Sequence, residues 1–212
     1  MSNVTTLIFD LDGTISDPSL GILRSLNYAF EEHGFPSISL KQVRAVIGPQ
    51  LDEALRSFCP SADSSAITSL IQKYRERYAE IGYSENTLYL GVPEAIDTLR
   101  SAGLRLGVCT SKRKDFAKKI LSMFQLDSQF SFINGGDVGI EKQEQLCALL
   151  GNNAIDDKSI MIGDRAVDVS SAKANGLRSV GVLWGFGDLD ELRGAGADKI
   201  LKETKELERL AI

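Results

Sequence analysis

"LIFDLDGTISD", residues 7–17, decides the fold. A run of apolar, strand-forming residues ends abruptly in Asp10. A second acid follows at Asp12, and Gly13-Thr14 turn the chain away. Carboxylates are costly at the edge of an apolar core unless something pairs with them. The question is what needs two of them here.

Similar short apolar runs recur along the chain. "VTTLIF" (4–9), "LRLGVCT" (104–110), "SFIN" (131–134), "SIMIG" (159–163) and "RSVGVLW" (178–184) read as strands too continuously apolar for a half-exposed sheet. Helical patterns lie between them, over 93–102, 114–124, 142–150 and 167–175, with "KELERLAI" as a last helix. Strand-helix alternation predicts an α/β fold with a parallel sheet covered on both faces. From Pro18 to about Gly82 the rhythm breaks into helical periodicity alone, with Ser39 and Ser64 as N-caps. That block is an inserted helical domain. The expected organisation is a core of 1–16 and 86–212 with an all-helical cap over 17–85, hinged near Ser16–Pro18 and Gly82–Asn86.

Composition narrows the function. The 212 residues suffice for one large or two small domains, and a net charge of −5 offers no field for a nucleic-acid polymer. No apolar run is long enough for a membrane span, and the N-terminus shows no secretory signal. Cys59, Cys109 and Cys147 read as buried free thiols, which points to the cytoplasm. With His33 as the one histidine, at a helix end before Gly34, a Ser-His-Asp triad and a histidine-rich zinc site find no support. "WGFGDLD" begins like a dinucleotide-binding glycine pattern, but Asp190 stands where the third glycine belongs.

Open parallel sheets bind ligands beyond the carboxyl ends of their strands. Those ends carry Asp10 and Asp12, then Thr110-Ser111 with Lys112, Arg113 and Lys114, then Lys142 opening a helix, then Asp164 and Asp168 in "GDRAVD". Carboxylates, a hydroxyl and a lysine on one rim suit Mg²⁺ and a phosphate. Asp10 and Asp164 are the natural direct ligands. Asp10 can also attack phosphorus while Asp12 gives and then takes a proton, with Ser111 and Lys142 stabilising the phosphoryl group. Lys142 opposes the helix dipole in a first turn, so something else must favour it there. Taken singly, each residue has a plainer reading. Ser111 reads first as a helix N-cap, Asp168 as a first-turn acid and Lys142 as a surface lysine. Lys112 to Lys114 read as a solvated helix start, of which Lys112 is the candidate substrate contact. Asp10 and Asp12 resist such a reading, and the order of the set along the strand ends decides it.

Those residues resemble the haloacid dehalogenase-type phosphatase superfamily: "DLDGT" its first motif, "CTS" with Ser111 its second, Lys142 its third and "GDRAVD" its fourth. The resemblance implies a Rossmann-like core with a helical cap, Asp10 as nucleophile and Asp12 as acid/base. It also implies Mg²⁺ held by Asp10, the Asp12 carbonyl and Asp164, with Asp168 in support. Asp12 points away from dehalogenation and from transport ATPases toward phosphomonoester chemistry. The pattern "DPSLGI…IGPQL…GYSEN.LY.GV…TSK" is similar to phosphoglycolate phosphatases and 5′-nucleotidase-like relatives, although Gln143 follows Lys142 where many relatives carry Pro. Specificity is expected from the cap, with Arg44, Gly48, Pro49 and Gln50 in "VRAVIGPQ" as candidates, while Tyr74, Arg75 and Tyr78 read as a packing face. The expectation is a monomeric or homodimeric phosphatase of a small phosphorylated metabolite. A sugar-phosphate mutase and a non-enzymatic phospho-receiver are the alternatives.

Overall fold

The computed structural model describes residues 4–44, 47, 51–136 and 140–211. In chain order the elements are β1 (Thr6–Phe9), β2 (Ser16–Asp17), α1 (Ser19–Glu32), α2 (Leu40–Arg44), α3 (Leu51–Phe58), α4 (Ser64–Glu80) and β3 (Thr87–Leu88). There follow α5 (Val92–Ser101), β4 (Arg105–Arg113), α6 (Lys114–Met123), β5 (Phe132–Gly136), α7 (Lys142–Gly151) and β6 (Ile160–Gly163). The chain ends with α8 (Ala166–Ala174), β7 (Arg178–Val182), α9 (Leu189–Ala195), β8 (Lys199–Leu201) and a 3₁₀ turn over Thr204–Ala211.

Among the described residues, six strands form one sheet in the order β5-β4-β1-β6-β7-β8, every pairing parallel. Strand β1 sits between β4 and β6, so the chain leaves it toward one edge and later returns to the other side. A crevice opens beyond the carboxyl end where the order reverses in this way. Residue 10 emerges at that point. On one face, Ile8, Cys109 and Met161 pack with Leu146, Leu149 and Ala172 from α7 and α8. Leu7, Phe9, Leu106 and Val108 alternate with them and are as fully buried, so both faces are covered. This explains why the strands read as unbroken apolar runs.

The contacts divide the chain into two compact units, Met1–Asp17 with Leu88–Ile212, and Pro18–Thr87. The second is helical, with its own core of Leu26, Ala29, Phe30, Val43, Leu55, Cys59, Ile67 and Leu70. Tyr74 packs against that core and stacks on buried Tyr78 at 5.4 Å between ring centroids. His33 belongs to this unit. Its Nδ1 lies 2.8 Å from the Ala29 carbonyl and its Nε2 2.7 Å from Ser69 Oγ, which ties α1 to α4.

Several local expectations are corrected. The N-cap of α4 is Asp63, whose carboxylate accepts from the Ala66 N–H at 2.8 Å, and Ser64 is the first helical residue. The C-terminal segment is 3₁₀, a period that two turns of sequence pattern do not separate from 3.6. Cys147 is exposed, on the outer side of α7, whereas Cys59 and Cys109 are buried. Helix α9 and strand β8 went unread because both are short and lie in a glycine-rich stretch. Among the described residues no helix is long and apolar enough to cross a membrane.

Candidate active site

Beyond Phe9 the parallel ladder continues for one residue, with the Asp10 N–H donating to the Ile162 carbonyl at 2.9 Å. The chain then reverses. The Leu11 carbonyl accepts from the N–H groups of Ile15 at 2.9 Å and Ser16 at 3.1 Å, and Gly13 adopts φ +86°. A side chain at position 13 would be strained by that φ and would collide with Asp164 Oδ2, 2.2 Å from the projected Cβ. The two acids of the first strand are therefore held on a rigid turn packed against the acid that follows β6.

Asp10, Asp164 and Asp168 converge. One carboxylate oxygen from each lies within 4.8 Å of the others, and all three residues are buried. Lys142 sits among them with 2 % of its surface exposed. Its Nζ is 3.1 Å from Asp10 Oδ1 and donates to Asp168 Oδ1. These partners answer the helix-dipole objection: a cation at the start of α7 is retained by two carboxylates. The other oxygen of Asp168 accepts from the Arg165 N–H at 3.0 Å and so caps α8. Asp168 is thus both a first-turn acid and part of the cluster.

The electrostatics record the crowding. Burial, reinforced by the charges of Asp168 and Asp10, pushes the Asp164 carboxyl up to about 8. Burial likewise raises Asp168 to about 6 against the pull of Lys142. For Lys142, burial acts to lower the ammonium, but Asp10 and Asp168 outweigh it and hold the value above the ordinary lysine range. Burial raises Asp12 despite the opposing charge of Lys112. Nearby Cys109 is pushed up to about 12 by burial, which keeps the thiol protonated and out of nucleophilic chemistry.

Strand β4 runs on to Arg113, and its register against β5 shifts between Thr110 and Arg113. Bulges of this kind re-aim side chains. Lys112 Nζ reaches Asp12 Oδ2 at 2.6 Å and forms a largely enclosed ion pair. Ser111 lies in the strand with an exposed side chain, and α6 starts after Arg113, so the reading of Ser111 as its N-cap is overturned. Among the described residues the buried Asp12 Oδ1 has no hydrogen-bond partner, and the buried Asp10 Oδ1 faces only the Lys142 ammonium. Oxygen donors alone, in surplus and partly unpaired, fit a hard divalent cation such as Mg²⁺.

Residues 7–182 match the family described as haloacid dehalogenase-like hydrolase. The chain belongs to the haloacid dehalogenase-like hydrolases. It is 36% identical over 193 residues to a 5′-nucleotidase from Pseudomonas aeruginosa, covering 88% of this chain and 86% of that one. It is 30% identical over 185 residues to a phosphoglycolate phosphatase from Xylella fastidiosa, covering 85% and 81%. A match at 34% identity to the tyrosine-protein kinase PtkA of Mycobacterium tuberculosis covers 87% of this chain and 64% of that protein. Among solved structures, a predicted phosphatase from Clostridium acetobutylicum superposes with TM-score 0.90 at 33% identity, covering 99% of this chain and 98% of that one.

In this haloacid dehalogenase-like hydrolase the sequence reading missed one part of the site. The Phe186 N–H donates to Asp164 Oδ2 at 2.8 Å, Thr14 Oγ1 donates to Asp164 Oδ1 at 3.3 Å, and Trp184 Nε1 donates to the Thr14 carbonyl at 3.0 Å. The glycines of "WGFG" were the available signal, and they invited comparison with a nucleotide-binding loop. Of the specificity candidates, Arg44 is the partly buried last residue of α2, and Gly48, Pro49 and Gln50 lie outside the described residues.

Proposed function

We propose that this hydrolase is a Mg²⁺-dependent phosphomonoesterase that works through an aspartyl phosphate on Asp10. The observation that carries the reading is the charge surplus at the end of β1. Among the described residues, four carboxylates (Asp10, Asp12, Asp164, Asp168) face two ammonium groups, Lys112 and Lys142, and the buried Asp12 Oδ1 lacks a hydrogen bond. More acids than cations in a buried site are costly unless protons or a divalent cation balance them, and the raised Asp164 and Asp168 mark where that balance is needed.

Asp10, Asp164 and the Asp12 backbone carbonyl would hold the cation. Asp168 is the group that pairs directly with the Lys142 ammonium, and it acts mainly by fixing Lys142. Bound there, Mg²⁺ would offset the repulsion between a phosphate dianion and these acids. The Asp10 carboxylate attacks phosphorus, forming an O–P bond as the ester P–O bond breaks. Asp12 passes its proton to the departing alkoxide. Asp12 then takes a proton from the water that attacks phosphorus, breaking the acyl phosphate and returning Asp10 with free phosphate. Lys112 grips Asp12 Oδ2 and leaves Oδ1 for the proton. The Ser111 hydroxyl donates to a phosphoryl oxygen.

The substrate is a small phosphorylated metabolite of the phosphoglycolate or nucleoside monophosphate type, which the names of two relatives support. The net charge of −5 argues against a nucleic-acid polymer, and three free thiols support a cytoplasmic setting.

The test is phosphate release from phosphoglycolate, nucleoside monophosphates, sugar phosphates and an aryl phosphate, with Mg²⁺ and with EDTA. Turnover should require Mg²⁺, and Asp10→Asn should lower it by at least about 10⁴-fold. Turnover that survives either treatment would end the proposal. An isomerised sugar phosphate in place of free phosphate would indicate a mutase. Transfer from ATP to a tyrosine peptide would instead favour the activity named for PtkA.

A further inference from the structure

The turn "WGFG", residues 184–187, plays no part in the chemistry above, yet its packing is tightly specified. Beyond Val182 the chain pairs once more, with the Leu183 N–H on the Leu201 carbonyl at 3.0 Å, and then crosses Asp164. A Cβ on Gly185 would stand 2.3 Å from the Gly13 carbonyl oxygen and 2.4 Å from both Cβ and Oδ2 of Asp164. A Cβ on Gly187 would stand 2.0 Å from the Asp164 carbonyl oxygen. Gly13 likewise presents its own bare Cα to the same carboxylate. The far end of the turn is anchored. Glu191 Oε1 accepts from Arg165 Nε at 2.9 Å and the Ala166 N–H at 2.7 Å, and Asp188 caps α9 by accepting from the Glu191 N–H at 2.8 Å.

We infer that residues 184–187 are a strap that fixes the Asp164 carboxylate in the orientation a divalent cation requires, with Trp184 and Gly185 as positioning residues. The inference rests on Asp164 as a cation ligand under the proposed function. Its physical basis is a mismatch in hydrogen bonding. A carboxylate offers about four acceptor sites. Asp164 is fully buried, yet among the described residues only the Phe186 N–H and the more distant Thr14 hydroxyl donate to it. A strap meant only to satisfy a buried acid would supply more donors. This one immobilises the group and leaves acceptor capacity on the side shared with Asp10 and Asp168. Trp184 extends the hold to the first strand, because its indole N–H grips the Thr14 carbonyl on the turn that carries Asp10 and Asp12. The strap therefore couples two ligands that lie 154 positions apart in the sequence, as the numbers 10 and 164 show.

The test measures Mn²⁺ binding directly, by electron paramagnetic resonance of the free ion, in the wild-type chain and in Trp184→Phe, Gly185→Ala and Leu207→Ala. Phe keeps an aromatic ring but loses the indole N–H together with the volume of the five-membered ring, and Leu207→Ala controls for lost packing. Leu207 is a buried residue of the 3₁₀ turn, outside the acid cluster, and serves as a destabilised control. Both strap variants should bind Mn²⁺ about ten-fold more weakly, the range for loss of a group that orients a ligand. Leu207→Ala should bind as the wild type does while melting at a lower temperature. If Gly185→Ala fails to fold, Trp184→Phe decides the matter. Wild-type affinity in Trp184→Phe, or equal weakening in the control, would overturn the inference and leave the phosphatase reading intact. Strap-dependent Mn²⁺ binding by a chain that hydrolyses no phosphate ester would do the reverse.

Discussion

The helical unit and the rim of the sheet both collect charge, and they treat it in opposite ways. In the helical unit, Glu85 receives Arg77 through two nitrogens at 2.9 and 3.0 Å and Arg24 at 2.7 Å. Glu76 receives the Tyr28 hydroxyl and Lys73, each at 2.9 Å. The Arg77 hydrogen bonds hold Glu85 below the usual carboxylate range. At the rim the acids outnumber the cations, and burial raises Asp164 and Asp168. Charge placed for architecture is matched on the spot. At the rim charge is left in surplus, a cost to the fold that a bound cation would offset under the proposed function.

The strongest way to break that comparison is to remove one cation from each region. Lys142→Met leaves Asp10 and Asp168 buried without a counter-charge and should lower unfolding free energy in EDTA by about 3–5 kcal/mol. Arg77→Met leaves Glu85 with Arg24 and water, so the loss should be about 1 kcal/mol. Denaturant titration compares the two. Adding Asp168→Asn to Lys142→Met should recover part of the loss, because it removes one of the stranded charges. Equal losses at 142 and 77 would mean that the rim is no more dependent on charge balance than a half-buried ion pair.

A second prediction concerns sign. Asp164 titrates near 8 in the folded chain against 3.8 in its ordinary state, so the fold binds that proton more tightly than the unfolded chain does. Its contribution to stability is full below about pH 4 and is lost as pH rises through about 8. Asp168 acts in the same direction up to about 6. Glu85 runs the other way: its lowered value contributes stability above its ordinary range, and that is lost as pH falls through the folded value. Cation binding needs the carboxylates ionised, so under the proposed function Mg²⁺ would have the most repulsion to relieve where they are charged. Thermal melts with Mg²⁺ and with EDTA should therefore differ more at pH 8.5 than at pH 5.5. A shift of equal size at both would detach the raised acids from the cation site.

How much of this was legible beforehand depended on the range of the interaction. The ends of β1 and β6 could be read because an apolar strand that runs into acid is itself the anomaly. Lys142 could be suspected from the dipole it opposes, but its partners Asp10 and Asp168 lie 132 and 26 positions away in the numbering and leave no local trace. The role of Lys112 depends on a shift of register between β4 and β5, which no pattern within β4 encodes. The glycines at 185 and 187 were visible, but their reason is a carboxylate some twenty positions earlier, so local rules could only set them against a dinucleotide-binding pattern that Asp190 breaks. Cys147 was read as buried along with its helix, whereas it lies on the outward side of α7.

The smallest effect concerns a charge satisfied by the backbone alone. Asp63 closes the first turn of α4 by accepting from the Ala66 N–H, where the helix dipole also favours an anion. Ser64, the cap expected from the sequence, already lies inside the helix. Asp63→Ala should therefore cost about 1 kcal/mol and Ser64→Ala less than about 0.5 kcal/mol, both measured by denaturant titration. Neither should alter phosphatase turnover, because the charge of Asp63 is employed within its own helix. If Ser64→Ala were the costlier change, the cap would lie one residue later. The helical unit would then contain an acid not committed to its architecture, which is the condition that otherwise marks the rim.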